Sequence, residues 1–219
     1  MERPSVRSYS IRGSRITDAQ REAKTALQAV HGIEFKQEVI NLKAIFPSSD
    51  KVIMEIGFGM GEATAIIAKN HPNNGYIAVD VHPPGIGKLL ARIIENDLTN
   101  LKVIEEDVHV VLQHMIADES LDGIHLYFPD PWPKKKHNKR RIVNEGFLSL
   151  IHPKLKKDGY IHIATDWVPY AISMQEVFAA SSLFTGGVIE KPESRPVTRF
   201  EGQGIDKDHQ VTDLMYFRK

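Results

Sequence analysis

Five short apolar runs, separated by segments with helical periodicity, confine this chain to a narrow set of folds. Lys51–Ile56, Tyr76–Val79, Leu101–Ile104, Gly123–Phe128 and Tyr160–Ala164 read as strands. Between them, Glu62–Lys69, residues 85–96, Val108–Ala117 and Ile142–Ile151 read as helices, the first stopped before Pro72 and the last before Pro153. Such alternation predicts a doubly wound α/β domain, a mostly parallel sheet with helices on both faces. Ala171, Met174, Val177 and Phe178 predict a further helix over 169–182, and Phe184–Glu190 and Asp213–Arg218 are the last strand candidates. The Gly- and charge-rich loop between those two is too long for a simple hairpin, so an antiparallel C-terminal strand is expected to enter the sheet by a longer route. Ahead of the first strand, Phe35, Val39, Leu42 and Phe46 stand at helical spacing and predict an amphipathic helix over Glu34–Phe46, ended by Pro47. Residues 1–30 are polar and lack a sustained period, which predicts a mobile basic arm before one domain over 31–219.

This register places Glu55, Asp80, Asp107, Asp130 and Asp166 at or near the carboxyl ends of the five strands. Open α/β sheets bind ligands outside those ends, so the carboxylates are expected to border one cleft. The first strand runs into Gly57-Phe58-Gly59-Met60-Gly61, and Asp80 lies 23 residues after Gly57. A Gly-rich turn followed by such an acid is the general pattern for holding an adenosine ribose. The dinucleotide fingerprint would need a third glycine where Glu62 stands, and a glutamate at a helix N-terminus repels a pyrophosphate. Asp80 can accept from ribose hydroxyls, Asp107 from an adenine amino group, and Glu55 can face a cationic amine. A cofactor with ribose, adenine, positive charge and no phosphate is implied: S-adenosylmethionine fits, and NAD fits poorly.

The fourth strand leads into Phe128-Pro129-Asp130-Pro131-Trp132-Pro133, a carboxylate between two prolines that fix the backbone around it. Lys134 to Arg141 follows, with six Lys or Arg in eight positions. The net charge is zero, with 28 basic and 28 acidic residues, so the chain is not basic overall. Phosphate binding depends on the contacting charges rather than on their sum, and a local patch suffices. A rigid acid, an aromatic surface and a phosphate-seeking patch together suggest chemistry on a base within a nucleic acid.

Cysteine is absent, which excludes disulfides, thiolate metal sites and thiol nucleophiles. No apolar run approaches the ~18 residues of a membrane span, and the N-terminus lacks the apolar core of a signal peptide. The cytosol is the expected compartment. The ten histidines show no metal-ligand spacing, so no metal is expected.

Glu55 to Gly61, Phe128 to Lys134, His137 to Arg141, Ala164-Thr165-Asp166-Trp167 and Arg195-Pro196-Val197-Thr198-Arg199-Phe200-Glu201 resemble the bacterial tRNA (guanine-N7-)-methyltransferase family, from about Phe35 to the C-terminus and in the family's motif order. The resemblance implies a single Rossmann-like methyltransferase domain that uses S-adenosyl-L-methionine to methylate N7 of a guanine in the tRNA variable loop. Carried over motif by motif, Glu55, Gly57, Gly59, Asp80, Asp107 and Asp130 would contact the cofactor, with Asp130 also the catalytic position. Lys134, Asp166, Thr198, Arg199, Phe200 and Glu201 would contact the substrate, and Lys136, His137, Asn138, Lys139, Arg140 and Arg141 the RNA. The acid closing the second strand is frequently Glu in this family; Asp80 keeps the carboxylate with a shorter reach.

N7 of guanine carries a lone pair and no proton, so its methylation needs alignment more than a general base. A carboxylate, Asp130 or Asp166, can accept from the guanine N1–H and amino group and offset the positive charge that develops on the ring. Trp132 or Phe200 can stack on a base splayed from the RNA. A bare helix start remains open for Thr198 and Glu201, which have capping-box spacing. The rivals are a small-molecule methyltransferase, which leaves the basic block idle, an NAD(P) oxidoreductase, which Glu62 disfavours, and a non-catalytic RNA-binding protein.

Overall fold

The computed structural model describes residues 8–9, 18–197 and 211–219. Thr198, Arg199, Phe200 and Glu201 therefore lie outside the described residues. In chain order the elements are α1 (Asp18–His31), α2 (Leu42–Ile45), β1 (Lys51–Ile56), α3 (Glu62–Asn70), β2 (Asn74–Asp80), α4 (Pro83–Glu95), β3 (Leu101–Glu105), α5 (Val108–His114) and β4 (Leu121–Tyr127). A 3-10 helix over Lys135–Arg140 comes next, then α6 (Glu145–Ile151), β5 (Leu155–Thr165), α7 (Val168–Ala179), β6 (Phe184–Ile189) and β7 (Thr212–Arg218).

The seven strands form one sheet in the order β3-β2-β1-β4-β5-β7-β6. β1 to β5 pair in parallel, and β7 runs antiparallel between β5 and β6. The doubly wound architecture and the antiparallel C-terminal strand match the sequence expectation. Burial on both faces explains why the inner strands read as unbroken apolar runs: in β1 every residue after Lys51 is buried. α5, α6 and α7 close one apolar core around Met54, Ile77, Ile124 and Ile163. On the other face α3 and α4 cover Ile53, Ala78, Leu101 and Val103.

Local chemistry sets the helix starts on the ligand side. Asp107 caps α5 by accepting from the His109 N–H, and Asn144 caps α6 by accepting from the Phe147 N–H. Pro83 and Pro84 open α4, where a missing N–H costs nothing. The strand order reverses between β1 and β4, and their carboxyl ends diverge there to leave a crevice.

Two expectations are corrected. The helix predicted over Glu34–Phe46 shrinks to Leu42–Ile45. The preceding chain is held open instead, because Ile33 N–H donates to the Val103 carbonyl on the edge strand and Ile40 N–H to the Met115 carbonyl. Its apolar residues serve that docking: Phe35 meets the His114 ring edge-on at 6.3 Å, and the covered β3 edge is lost as a site for foreign strand pairing. The segment read as an arm also contains helix α1, which packs against α4 and sets Leu27 against the second core.

Candidate active site at the carboxyl edge of the sheet

A cavity of about 250 Å³ opens at the reversal point, walled by Ile56, Gly57, Gly59, Val79, Asp80, Asp107, Leu126, Tyr127, Phe128, Asp130 and Ile142 among others. Gly57 has φ +71°, and a Cβ added to it would meet nothing within 4 Å, so the cradle is open on the ligand side. Behind it the turn is packed shut: a Cβ on Gly85 would fall 2.0 Å from the Gly59 carbonyl oxygen, which brings the start of α4 onto the loop.

Asp80 ends β2 and braces the same turn. Its Oδ2 accepts from the Gly59 N–H at 2.9 Å, and its Oδ1 from the N–H groups of Val81 and His82 at 2.7 and 3.0 Å. Burial raises its carboxyl above the ordinary range, and those three backbone donors oppose the rise. Asp107 is drawn the other way: burial would raise it, but hydrogen bonds from the His109 ring and backbone and from the Tyr9 hydroxyl outweigh that and lower it. An anionic acceptor at Asp107 suits an adenine amino group.

Glu55 is placed differently from its expectation. It is 3% exposed and absent from the cavity wall, because it lies inside β1 level with Ala78 and His125, two residues short of the depth at which Asp80 and Tyr127 reach the wall. Burial pushes its carboxyl up to about 7, against a smaller lowering pull from the Thr64 hydroxyl. A folded value above the unfolded one of about 4.5 means that the native state holds the proton more tightly. The resulting stability is complete below pH 4.5 and is lost as pH rises through 7. At about 1.4 kcal/mol per pKa unit, Glu55→Gln is expected to remove about 3 kcal/mol of pH dependence between pH 4.5 and 8. Urea unfolding of both proteins across that range checks it, and parallel stability curves would refute the shift.

The loop after β4 is the most constrained part of the site. Phe128 and Trp132 have φ of +51° and +44°, conformations that cost a non-glycine residue about 1–3 kcal/mol and persist only where the surroundings enforce them. The surroundings do so here. Phe128 N–H donates to the Ala164 carbonyl at 2.7 Å, and Arg141 Nε donates to the Pro131 carbonyl at 2.9 Å. Trp132 Nε1 donates to the Ser8 carbonyl at 2.9 Å. Asp130, between its prolines, is exposed at the cavity rim.

Lys134 is exposed and caps the 3-10 helix that carries Lys136, His137, Asn138, Lys139 and Arg140. Lys136, Asn138 and Lys139 are exposed and His137 is half-buried, its ring edge-on to Trp132 at 5.9 Å. The Arg140 guanidinium lies 3.8 Å over the Trp132 ring and donates to the Tyr9 carbonyl at 3.0 Å. One face of Trp132 is thereby taken, which removes it as an open stacking platform on that side. Arg141, expected to contact RNA, is only 8% exposed and lies 4.7 Å from the Tyr170 ring, so it clamps the loop that bears Asp130 from within. Asp166 is half-buried just past β5 and off the cavity wall. The structure thus unites Asp80, Asp107 and Asp130, and leaves Glu55 and Asp166 outside that group.

Ser8 and Tyr9 also line the cavity, as does Tyr127, whose place in an apolar run predicts only strand core. Tyr9, an aromatic side chain in a polar segment, was the available signal. Among the described residues no group of three or more His, Asp or Glu side chains is arranged to hold a metal. No helix among them is long and apolar enough to cross a membrane.

Solved structures share the fold at low identity. The 16S rRNA methyltransferase KamB superposes with a TM-score of 0.60 at 14% identity, covering 83% of this chain and 95% of that one. A Streptococcus mutans protein solved in complex with SAH gives 0.52 at 9% identity, over 81% and 96%. A family model described as "Putative methyltransferase" matches residues 49–214. Fold, cradle and acids define an S-adenosylmethionine-dependent methyltransferase of the Rossmann-like type. The tRNA (guanine-N(7)-)-methyltransferase of Nitrosospira multiformis is 44% identical over 98% of this chain and 95% of its own length. That of Chromobacterium violaceum is 42% identical over 100% of both. This chain belongs to the tRNA (guanine-N7-)-methyltransferase family. The likeness, read from Phe35 onward in the sequence, extends over the first thirty residues as well.

Proposed function

We propose that this protein transfers the methyl group of S-adenosylmethionine to N7 of a guanine in the variable loop of tRNA, giving 7-methylguanosine. One observation carries the reading. An exposed carboxylate, Asp130, is held on a proline-fixed loop at the rim of a cavity whose wall carries Asp80 and Asp107, and a basic helix begins five residues further on.

The cavity suits the cofactor by its chemistry. Asp80 offers acceptors for ribose hydroxyls, and Asp107 an acceptor for an adenine amino group. Ile56, Val79, Leu126 and Ile142 provide apolar walls for a flat base. Glu62 in the first turn of α3 opposes phosphate there. When bound, S-adenosylmethionine supplies an electrophilic methyl on a sulfonium.

Every other contribution is the protein's. The strained, clamped loop fixes Asp130 before the substrate arrives, so little reorganisation remains at the moment of reaction. The Asp130 carboxylate accepts from guanine N–H groups and offsets the positive charge that the ring gains. No proton leaves N7, so no general base is assigned. Lys134, Asp166 and Thr198 to Glu201 complete the substrate side, Lys136 and Lys139 meet the tRNA backbone, and the cytosol is the compartment this substrate implies.

Incubation with unmodified tRNA and S-adenosylmethionine, followed by nucleoside mass spectrometry, tests the proposal. The expected result is new 7-methylguanosine. A different methylated nucleoside, or cofactor binding with no methylated product, would overturn it.

A further inference from the structure

A connected set of buried polar side chains lies over β4, β5 and β7 that the chemistry above does not use. Tyr127 Oη and His162 Nδ1 are 3.1 Å apart, and His162 Nε2 is 2.7 Å from Asp213 Oδ1. Arg195 closes the chain with a bidentate pair: Nε donates to Asp213 Oδ1 at 2.7 Å and a terminal nitrogen to Oδ2 at 2.8 Å. An ionised Asp213 can only accept, so Nε2 of His162 carries its proton, and the Tyr127 hydroxyl donates to Nδ1 when the ring is neutral. His125 stacks on Tyr127 at 5.1 Å and bonds to the Tyr160 hydroxyl at 3.1 Å, which packs the group from the β4 side.

Arg195 is 1% exposed and heads the largest fully buried side chains among the described residues. Stability alone does not account for it. A buried ion pair loses about as much in desolvation as it gains in attraction, and well-packed apolar residues often serve as well or better. Further along this sheet face, Ile53, Ala78, Leu101 and Val103 show that aliphatic packing is available to it. A bidentate pair supplies a fixed direction, which aliphatic packing does not.

The pair ties β7 and the Arg195 turn to the cavity wall. Asp213 belongs to β7, and the Arg195 guanidinium also lies 6.0 Å from the Tyr127 ring and 5.8 Å from the Phe128 ring. Tyr127 and Phe128 line the cavity, and Asp130 follows two residues later. Arg195 is itself held in a turn by its N–H to the Pro192 carbonyl.

We infer that Arg195 is a positioning residue for methyl transfer: its pairing with Asp213, carried through His162 to Tyr127, fixes the Pro192–Val197 turn relative to the loop that bears Asp130. The inference rests on the tRNA methyltransferase reading above for its kinetic consequence, and on geometry alone for the anchor.

The test uses Asp213→Asn, Arg195→Lys and Tyr127→Phe in the full chain, with three measurements. These are kcat and KM for tRNA, the dissociation constant for S-adenosylmethionine, and amide hydrogen exchange over Lys191–Val197. In Asp213→Asn, kcat/KM for tRNA is expected to fall about 10- to 100-fold, the cost of a small misplacement of reacting groups. Cofactor affinity should stay within about threefold, since Asp80 and Asp107 are untouched, and exchange over Lys191–Val197 should rise while that of α3 and α4 holds. Arg195→Lys keeps the charge without the fork and should fall between wild type and Asp213→Asn. Tyr127→Phe deletes one hydroxyl and leaves the ion pair, so it reports on the relay if Asp213→Asn fails to fold. Unchanged exchange over Lys191–Val197 would overturn the anchor, whatever the activity. Parallel losses of cofactor affinity, tRNA turnover and global protection would reduce the pair to a structural one. A wild-type protein that makes no 7-methylguanosine would sink the functional reading, while the exchange data still decide the anchor.

Discussion

Asp130→Ala is expected to lower kcat on tRNA by about 10²- to 10³-fold, the range seen when one preorganised electrostatic group is removed from a transition state. The fold should not suffer. Asp130 is exposed, and substitutions at such positions usually change stability by no more than about 0.5 kcal/mol. The loop is held by its neighbours, through the Phe128 N–H, the Pro131 carbonyl and the Trp132 indole. Asp130→Asn separates two roles within that loss. It keeps an acceptor oxygen and gives up the charge, so a large loss in Asn assigns charge stabilisation, and a near-wild-type Asn assigns orientation. Single-turnover rates with saturating cofactor are the measurement, because they report chemistry apart from product release. Wild-type rates in both variants would take Asp130 out of the mechanism.

The parallel sheet and the ligand edge were legible because each depends on a local signal. Apolar runs of strand length, each closed by an acid, require only that both faces be covered. What escaped depends on depth along the sheet or on distant partners. Glu55 resembles the other strand-end acids in sequence. It pairs with Ala78 and His125, two residues before Asp80 and Tyr127, so its side chain leaves the sheet below the cavity. Asp80 ends its strand, and Asp107 and Asp130 lie beyond theirs, so all three stand at the depth of the cavity.

Arg141 is another case. Within the run from Lys134 nothing distinguishes it from Lys139 or Arg140. Its burial follows from the Pro131 carbonyl and the Tyr170 ring, and the latter belongs to a helix not yet reached in the chain. The Trp132 contact to Ser8 spans 124 positions, and no pattern in a single sequence carries such a pairing. The Glu34–Phe46 misreading has a related origin. Helical spacing of apolar residues also arises where an extended strap alternates between two docking surfaces, here the β3 edge and the end of α5.

The burial of Arg141 sharpens the second large effect. Lys135, Lys136 and Lys139 are the exposed cations of the 3-10 helix, whereas Arg140 is committed to Trp132 and Tyr9 and Arg141 to the loop. Replacing the three lysines together by alanine should weaken tRNA binding and flatten its salt dependence. If each meets one phosphate, the slope of log K against log salt should shrink by up to about 2.5, equivalent to about 30-fold less sensitivity between 50 and 200 mM. Cofactor affinity should hold, because none of the three lines the cavity. Arg141→Ala gives the opposite signature: the salt slope unchanged, the catalytic rate reduced, and stability lowered by about 1–3 kcal/mol as the Pro131 carbonyl loses its donor. Binding titrations at several salt concentrations distinguish the two. An unchanged slope in the triple variant would remove this helix from the tRNA interface. A reduced slope in Arg141→Ala would return its guanidinium to the RNA and contradict the clamp, since a side chain holding the loop from within has no counterion to release.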